Sequence, residues 1–261
     1  MIDLHFHLLP GIDDGPTDLA ESVALARAAA ELETATIVAT SHVSHHYRND
    51  AATIAAGVER VATSLREERI PVDVRAGAEV ALTRALELSD DELHALRLGD
   101  GPWLLLECPL TPRAAGVEEA LGHLAERGHR LLLAHPERCP SLHRDPALLP
   151  RLIADGMRTS LTAGAFAGQF GRDVRDLSRR LFDQGLVHSV ASDAHDTVRR
   201  PPGMIAELAS AEIPEEWIRY LTDESPAALL AGSELPVPPP LTPPSPGRGK
   251  GLRRLLARYR D

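Results

Sequence analysis

Cysteine is scarce in this sequence, which contains only Cys108 and Cys139 and no CxxC pair. Two cysteines are too few for a disulfide framework, and their spacing does not suggest a thiolate metal site. We therefore expect each of them to be a small buried hydrophobic residue. Aromatic residues make up only 3% of the chain, so its core must be built mainly from aliphatic side chains.

Two further absences limit where the protein acts and what it binds. No segment approaches the roughly 20 apolar residues of a membrane span, and the opening MIDLHFHLLPG has no basic leader. We therefore predict a cytoplasmic protein. The net charge of −10 argues against a broad nucleic-acid-binding face, because such a face needs clustered lysine and arginine. No nucleic-acid partner is expected.

Short apolar runs alternate with longer segments of helical periodicity, which is the pattern of strands that feed crossover helices. Candidate strands are residues 2–6, 36–40, 72–76, 103–107, 130–134, 159–162 and 187–191. Candidate helices are residues 18–32, with Asp18 as the cap, 49–68, 118–127, 146–155, 173–184, 202–208 and 215–221. Seven such units in a chain of 261 residues predict an α/β barrel in one domain.

The composition changes near the carboxyl end of the chain. We predict a catalytic domain over residues 1–235, a Pro/Gly-rich linker over 236–251 and a short basic amphipathic tail over 252–261. Proline fixes φ and removes backbone donors, so the linker should be extended or disordered. The tail, LRRLLARYRD, either binds an anionic membrane or an acidic partner surface, or is a solvated terminus.

Two histidines on the first predicted strand give the strongest chemical signal. His5 and His7 are two positions apart, so they point to the same face of the strand and can meet one ion. Residue types that bind metals recur just after other predicted strands: Asp13, Asp14, His42, Glu79, Glu107, His135, Asp193 and His195. Singly, each is explained as a capping or solvated group. Because the carboxyl ends of barrel strands meet at one face, the whole set predicts a metal site.

The segments DLHFHLLPGIDDGP, ATSH, GAEV, LLLE, AHPER and LVHSVASDAHDTVRRPP resemble the ordered motifs of the polymerase and histidinol phosphatase (PHP) superfamily. The resemblance covers about residues 1–232, and the IDDGP and RRPP flanks favour the bacterial branch of capsule and exopolysaccharide tyrosine phosphatases, the CpsB/CapC type. It implies a distorted (β/α)7 TIM-like barrel, the PHP fold. It also implies an enzyme that hydrolyses phosphotyrosine and depends on metal.

The same resemblance implies a site for three divalent ions, most often manganese, with iron or zinc as alternatives. The ligand sets that it implies are His5, His7, Glu79 and Asp193 for one ion, the shared Glu79 with Glu107 and His135 for a second, and Asp14, His42 and His195 for the third. Asp13 is the weaker choice of the acidic pair. Five neutral imidazoles and four carboxylates with three divalent ions give a charge of about +2, which suits a phosphoryl dianion.

Further positions match the family's phosphate and proton-transfer groups. Arg138 in AHPER and Arg200 in RRPP match arginines beside the phosphate, and Arg199 is the weaker choice of its pair. His42 or His195, where not committed to metal, could protonate the leaving phenolate. Two more histidines could line the mouth, His45 and His46, and the others are expected to be structural or exposed: His94, His123, His129, His143 and His188.

Several other functions are weighed against this one. A cysteine-dependent tyrosine phosphatase needs Cys-x5-Arg, whereas Ala114 and Asp145 occupy the sixth positions after the two cysteines. A histidinol-phosphate phosphatase shares the metal set and is the nearest rival, and another PHP phosphoesterase is more distant. A module that docks to a kinase or a membrane through its tail belongs to a different class. The resemblance implies an autophosphorylating bacterial tyrosine kinase as substrate. The basic tail, which lies outside the resemblance, could bring the protein to the inner face of the membrane.

Overall fold

A computed structural model of the protein describes residues 1–241. Within these residues the named strands are short, and they pair only in parallel. The strands are β1 (Ile2–Phe6), β2 (Thr36–Ala39), β3 (His42–Val43), β4 (Asp73–Ala76), β5 (Glu79–Ala81), β6 (Trp103–Glu107), β7 (Arg130–Ala134), β8 (Arg158–Thr162) and β9 (Ser189–Ala191).

The strands form two parallel sheets, one with the order β1-β2-β4 and the other with the order β3-β5-β6-β7-β8-β9. Backbone contacts join the two sheets on both sides. Phe6, at the end of β1, forms a parallel bridge with Ala194, just after β9. The amide of Glu79 in β5 donates to the carbonyl of Thr40, just after β2, at 3.3 Å. The predicted α/β class with parallel strands is confirmed.

Helices connect the strands and cover the sheets. They are α1 (Leu19–Glu31), α2 (Ala51–Glu67), α3 (Leu82–Ala85), α4 (Asp90–Ala95), α5 (Val117–Glu126), α6 (Pro140–Arg144), α7 (Leu148–Ala154), α8 (Ala163–Phe166), α9 (Arg172–Asp183), α10 (Ile205–Ser210), α11 (Glu215–Arg219) and α12 (Ser225–Ala231). A 3-10 turn spans Pro136–Arg138, and a π-helical turn, Tyr220–Glu224, joins α11 to α12.

Aspartates cap the two longest helices. Asp18 accepts a hydrogen bond from the amide of Glu21 at the start of α1, and Asp50 accepts one from the amide of Thr53 at the start of α2. Such a side chain satisfies one of the free amides of the first turn and stabilises the helix by about 1 kcal/mol. The predicted cap at Asp18 is confirmed.

Leucines on the central strands pack on both faces of the larger sheet. Leu104 and Leu106 of β6 belong to the main core cluster, whereas Leu105 belongs to a second cluster. The same alternation occurs in β7, where Leu132 lies in the second cluster. Side chains on a strand alternate between its faces, so both faces of this sheet are buried, as is usual for parallel sheets.

Three sequence predictions differ from the structure at particular elements. The predicted seven strands omit β3 and β5, which are too short to give an apolar run. The helix predicted over residues 202–208 begins at Ile205, and its predicted start is wrong because Pro201, Pro202 and Gly203 precede it. The helix predicted over 215–221 continues through the π-helical turn into α12. Pro226 lies in the first turn of α12, where its missing amide hydrogen costs no helical hydrogen bond.

The last described residues pack on the domain without forming a helix or a strand. The Tyr220 hydroxyl donates to the carbonyl of Pro236 at 3.2 Å, and the Trp217 indole donates to that of Pro240 at 3.4 Å. Residues 242–251 of the predicted linker and the predicted tail over 252–261 lie outside the described residues. Over residues 1–241, no helix has the length and apolar character needed to span a bilayer.

Candidate metal centre

Ligand-type side chains gather where strands of both sheets end. His5 and Glu107 lie in the last two residues of β1 and β6, and His135 directly follows β7. His42 is the first residue of β3, which a two-residue break separates from β2. Glu79 is the first residue of β5, which a similar break separates from β4. Because parallel strands end at a common edge, residues far apart in sequence meet there.

The structure brings together all nine residues that the sequence suggests as ligands. They form four clusters, and within each cluster the ligand atoms lie within 4.8 Å of one another. The clusters are His7, Asp14, His42 and His195; His5, His7 and Asp193; His5, Glu79 and His135; and His42, Glu79 and Glu107. Since four of these residues each belong to two clusters, the clusters form one continuous centre.

Glu79 lies at the middle of the centre and is almost fully buried. Its Oε2 atom is 2.9 Å from His42 Nδ1 and 3.2 Å from His5 Nε2, and its Oε1 atom is 2.7 Å from His135 Nε2. Burial opposes ionisation, but the neighbouring imidazoles hold the pKa of the Glu79 carboxyl well below its usual range. A carboxylate with imidazoles at both oxygens is placed to be shared by two cations.

His5, His7 and Asp193 converge on one point. The Nε2 atoms of the two histidines are 3.2 Å apart, and Asp193 Oδ1 lies 3.4 Å from the first and 3.6 Å from the second. At most one proton can lie between two ring nitrogens, so hydrogen bonds alone satisfy this arrangement poorly. Nitrogen and oxygen lone pairs that face one another in this way fit a divalent cation.

Asp14 joins two histidines at the more open side of the centre. Its Oδ1 atom is 3.4 Å from His42 Nε2 and 3.3 Å from His195 Nε2. The hydrogen bonds to both histidines hold the pKa of the Asp14 carboxyl well below its usual range. Burial disfavours the charged form of His42, but Asp14 and Glu79 outweigh it and raise the pKa of His42 to about 11. The carboxylates of Asp14 and Glu79 therefore strongly favour a positive charge at His42.

Glu107 and His135 complete the centre at the ends of β6 and β7. Glu107 Oε1 lies 3.6 Å from His135 Nε2. Burial, together with the negative charge of Glu79, raises the pKa of the Glu107 carboxyl to about 7. Two carboxylates are thus held close enough to repel each other, which a cation between them would relieve.

Asp13 has a role that the sequence did not reveal. Its buried Oδ2 atom lies 3.0 Å from His7 Nδ1 and accepts the amide of His42 at 3.1 Å, while its Oδ1 atom accepts the amide of Gly15. A carboxylate on the second nitrogen of a ligand histidine fixes the tautomer and the orientation of the ring. The adjacent aspartates of the IDDG segment were the only sequence feature that pointed to this role. Asp13 contacts the outer nitrogen of His7, whereas Asp14 belongs to the centre itself.

Two residues of the centre have unusual backbone conformations. His135 has a φ of 30° and Asp193 has a φ of 54°. Both values lie in the left-handed region, which residues other than glycine rarely adopt. Such conformations cost about 1–3 kcal/mol each and tend to occur at functional sites. The buried carboxylate of Asp3 helps to hold the second of them, because it accepts the amides of His5 and Ser192.

The two predicted arginines reach the same carboxylate. Arg138 Nη1 donates to Asp193 Oδ2 at 2.9 Å, and Arg200 Nη2 donates to the same oxygen. Arg200 Nη1 also lies 3.0 Å from His195 Nε2. Both guanidinium groups line a pocket of about 290 Å³ over the centre. Arg199, in contrast, is 88% exposed and pairs with Asp196, so it faces away from the pocket.

The mouth of this pocket has an aromatic and an apolar side chain. Tyr47 stacks on the ring of His42, with the centroids 5.5 Å apart and the planes 7° from parallel, and Leu110 also lines the pocket. Of the two histidines expected at the mouth, His46 lines the pocket, whereas exposed His45 lies 3.6 Å from Glu87 outside it. The remaining five histidines are absent from the described lining of this pocket.

Comparison with known proteins identifies the family. A family model described as capsular polysaccharide synthesis, CpsB/CapC, matches residues 1–230. The chain belongs to the CpsB/CapC family. Within this family, the tyrosine-protein phosphatase YwqE of Bacillus subtilis is 35% identical over 201 residues, which cover 77% of this chain and 79% of YwqE. The tyrosine-protein phosphatase CpsB of Streptococcus pneumoniae is 29% identical over 212 residues, covering 78% of this chain and 86% of that protein.

Solved structures agree with this assignment. A crystal structure from a study of Bacillus subtilis YwqE and Streptococcus pneumoniae CpsB, described as unique metal-dependent tyrosine phosphatases, matches with a TM-score of 0.81 at 32% identity. The match covers 92% of this chain and 98% of that one. A β-aspartyl dipeptidase from Fervidobacterium islandicum AW-1 matches with a TM-score of 0.56 at 13% identity, covering 88% of this chain and 72% of that one, and so shares the fold only.

Proposed function

We propose that this protein is a metal-dependent protein-tyrosine phosphatase acting on an autophosphorylating bacterial kinase that regulates capsular or exopolysaccharide synthesis. The proposal is carried by the continuous centre of nine nitrogen and oxygen ligands with two arginines in the same pocket. The relatives named tyrosine phosphatases and the family description support the substrate class and the pathway. These names favour phosphotyrosine over histidinol phosphate.

We assign three divalent ions to the centre, with manganese expected and iron or zinc as alternatives. The first set is His5, His7, Glu79 and Asp193, the second is Glu79, Glu107 and His135, and the third is Asp14, His42 and His195. The geometric clusters support the first set without Glu79 and the third set with His7 added, whereas Glu107 and His135 of the second set share Glu79 but belong to different clusters. Ions held there would polarise the phosphoryl group and lower the pKa of a water nucleophile.

Arg138 and Arg200 bind the phosphoryl oxygens in this proposal. A guanidinium group offers two parallel donors that match two oxygens of one phosphoryl group. Asp193 accepts a hydrogen bond from both arginines, so it holds their donor atoms beside the ligands before substrate arrives. This preorganisation reduces the side-chain entropy lost when the phosphoryl group binds.

The third ion would occupy both His42 and His195, so either histidine would protonate the leaving phenolate only in enzyme that lacks this ion. Both line the pocket, so both are within reach of a bound ester. Tyrosine has a pKa of about 10, so its anion leaves more readily than an alkoxide and needs less help from an acid. Tyr47 and Leu110 at the mouth offer apolar contact to the phenyl ring.

We also propose that the two sheets are parts of one distorted (β/α)7 barrel. Two-residue breaks separate β2 from β3 and β4 from β5, so the nine strands correspond to seven strand positions. The bridge between Phe6 and Ala194, and the bond from Glu79 to Thr40, support continuity between neighbouring positions. Such a barrel would place the centre at its carboxyl-terminal face.

Metal analysis and substrate comparison test the proposed function together. Purified protein should contain divalent metal by elemental analysis and should release phosphate from a phosphotyrosine peptide. A chelator should abolish this release, and added manganese should restore it. Preference for histidinol phosphate over the peptide would contradict the substrate assignment, and full activity after complete metal removal would contradict the metal assignment.

We place the protein in the cytoplasm and propose that residues 252–261 dock it to the membrane or to the kinase. The alternation of leucine and arginine in this segment supports the proposal. A chain that lacks residues 242–261 should keep its activity on a short phosphopeptide and lose recovery with membranes. Unchanged membrane recovery, with unchanged activity on the intact kinase, would remove the docking proposal.

A further inference from the structure

A second groove opens beside the metal centre, and the two share Arg138. It has a volume of about 690 Å³, and its lining includes Pro112, Arg138, Arg144, Phe170, Arg172 and Asp173. The groove lies between α6, which ends at Arg144, and the start of α9 at Arg172. Arg138 therefore belongs to the lining of both cavities.

Arg138 contacts one residue from each of the two cavities. Its guanidinium carbon lies 4.8 Å from the centroid of the half-buried Phe170 ring, on the side of the groove. On the other side its Nη1 atom donates to Asp193 at the metal centre. Stacking on the ring and hydrogen bonding to the carboxylate hold the side chain in one orientation, so the groove and the centre have a fixed spatial relation.

The groove is basic although the chain as a whole is acidic. Three arginines and one aspartate line it, whereas the net charge of the chain is −10. Arg144 donates to the carbonyl of Ala114 and to the hydroxyl of Ser141, and over residues 1–241 no carboxylate lies within 4 Å of it. Its positive charge is therefore not neutralised by an ion pair.

Among the residues that line the groove, Arg172 has a highly exposed side chain. Its side chain is 83% exposed, and its contact with Asp176 one turn along α9 is long, at 3.5 Å. An exposed pair of this kind contributes little to stability. The guanidinium group can therefore exchange this contact for a better carboxylate.

We propose that this basic groove binds acidic side chains that flank the phosphotyrosine of a protein substrate. The inference rests on the proposed tyrosine phosphatase function and adds a specificity site to it. An extended peptide advances about 3.3 Å per residue, so side chains within a few positions of the phosphotyrosine reach the groove when the phosphoryl group is in the centre. Phe170 provides apolar contact for the stems of these side chains.

Matched peptides test the inference on the full chain with its metal. We compare kcat/KM for phosphotyrosine peptides that carry glutamate, glutamine or lysine on either side of the phosphorylated residue. Exposed charge pairs predict a preference of up to about fivefold for glutamate over glutamine on at least one side. The preference should fall in about 0.5 M salt, which screens exposed charges. p-Nitrophenyl phosphate, which has no flanking residues, serves as the reference substrate.

Charge reversal at the groove locates the effect. Arg172→Glu should remove the preference for glutamate and favour the lysine peptide, with kcat/KM for p-nitrophenyl phosphate within about twofold of the original. Glutamate in the first turn of α9 is compatible with the helix dipole, so the variant should fold. Arg180→Glu makes the same charge change on the same helix outside the groove and should leave the preference intact.

The possible results separate this inference from the function on which it rests. Equal kcat/KM for all flanking charges in the unaltered protein would overturn the groove assignment and leave the phosphatase intact. A shift in Arg180→Glu equal to that in Arg172→Glu would also overturn it, because the effect would then come from overall charge. Failure to hydrolyse any phosphotyrosine peptide in the metal-loaded protein would remove the proposed function, and the groove inference with it.

Discussion

The carboxylate of Asp193 contacts both the histidines and the arginines of the centre. Its Oδ1 atom points to the rings of His5 and His7, and its Oδ2 atom accepts from Arg138 and Arg200. The backbone at Asp193 is left-handed, so the aspartate is held in this place at a conformational cost. Ligand geometry and arginine position therefore depend on one another through this residue.

Replacement of Arg200 by lysine should show whether the fork of the guanidinium group is needed. Lysine keeps the positive charge but cannot donate to Asp193 and to a phosphoryl oxygen in the same fixed geometry. A charged hydrogen bond contributes about 1.5–3 kcal/mol, so Arg200→Lys should lower kcat/KM by roughly 10- to 100-fold. Steady-state kinetics on a phosphotyrosine peptide measures the effect.

Arg199 provides the matched control for this substitution. It is the neighbouring residue, it has the same charge, and it is exposed outside the pocket. Arg199→Lys should therefore leave kcat/KM unchanged. Equal losses in the two variants would contradict the assignment of Arg200 to the phosphoryl group.

Asp13→Asn should weaken metal binding although Asp13 is outside the proposed ligand set. Asp13 accepts hydrogen bonds at both carboxylate oxygens, whereas asparagine has only one acceptor oxygen. Its NH2 group must therefore face either His7 Nδ1 or the amide of Gly15, and the His7 ring is oriented less firmly. Loss of such a partner typically lowers metal affinity by about 10- to 100-fold. Metal titration of the protein gives the dissociation constant. Asp91→Asn, an exposed change on α4, should have no effect, and equal affinity in Asp13→Asn would refute the positioning role.

At the scale of single elements, the junction between β4 and β5 is packed too closely for any side chain. A Cβ atom on Gly77 would lie 2.7 Å from Val38 Cγ1 and 3.0 Å from Leu98 Cδ2. Gly77→Ala should destabilise the fold by about 1–3 kcal/mol, because the core around it cannot expand freely. Denaturant unfolding at fixed metal concentration measures this change.

Gly122 offers the opposite case in the same chain. It lies within α5, and a Cβ atom there would meet no atom within 4 Å. Gly122→Ala should stabilise the protein by about 0.5–1 kcal/mol, because alanine loses less backbone entropy in a helix. Destabilisation in both variants would show that the tight packing at Gly77 is not the cause of its effect.

Apolar periodicity was sufficient to predict the long elements of this fold and insufficient for the short ones. β6 and β7 occur at the predicted bounds, because WLLLE and RLLLA are apolar runs that are buried on both faces. β3, with two residues, contains no run to detect. It exists because His42 pairs with Glu79, a contact between chain segments that local sequence does not encode.

The clustering of the candidate ligands was predictable because their chemistry and their position after strands coincide. His135 and Asp193 follow strands directly or closely, and the structure brings both into the centre. The role of Asp13 was not predictable, because adjacent aspartates look alike in sequence and only the turn at Gly15 directs one of them to His7. The basic groove was also missed, since its arginines come from separate helices.

For the whole molecule, removal of metal should lower thermal stability. The centre concentrates four carboxylates in a chain that already carries a net charge of −10. An ion that binds only the folded state stabilises it by about 2.7 kcal/mol when its free concentration is 100 times the dissociation constant. Differential scanning calorimetry should show a lower midpoint with chelator and recovery with manganese. In Glu79→Gln the recovery should be much smaller, and an unchanged midpoint in the original protein would contradict metal binding at this centre.

The position of the last described residues predicts where the chain can be shortened. Trp217 and Tyr220 donate to backbone carbonyls of Pro240 and Pro236. Deletion of residues 236–261 removes these contacts and should lower the thermal midpoint, whereas deletion of residues 242–261 keeps them. Equal midpoints for the two shortened chains would show that residues 236–241 contribute nothing to stability.

The bridge between Phe6 and Ala194 joins the first strand to the segment that follows the last strand. The two parts of the centre are therefore made at different times during synthesis. His5 and His7 leave the ribosome long before Asp193 and His195 are made. In the proposed metal centre, a nascent or prematurely terminated chain would therefore have only some of the ligand residues. Binding of metal would then have to wait until Asp193 and His195 are made, so the order of the residues in the chain would couple metal binding to completion of the domain.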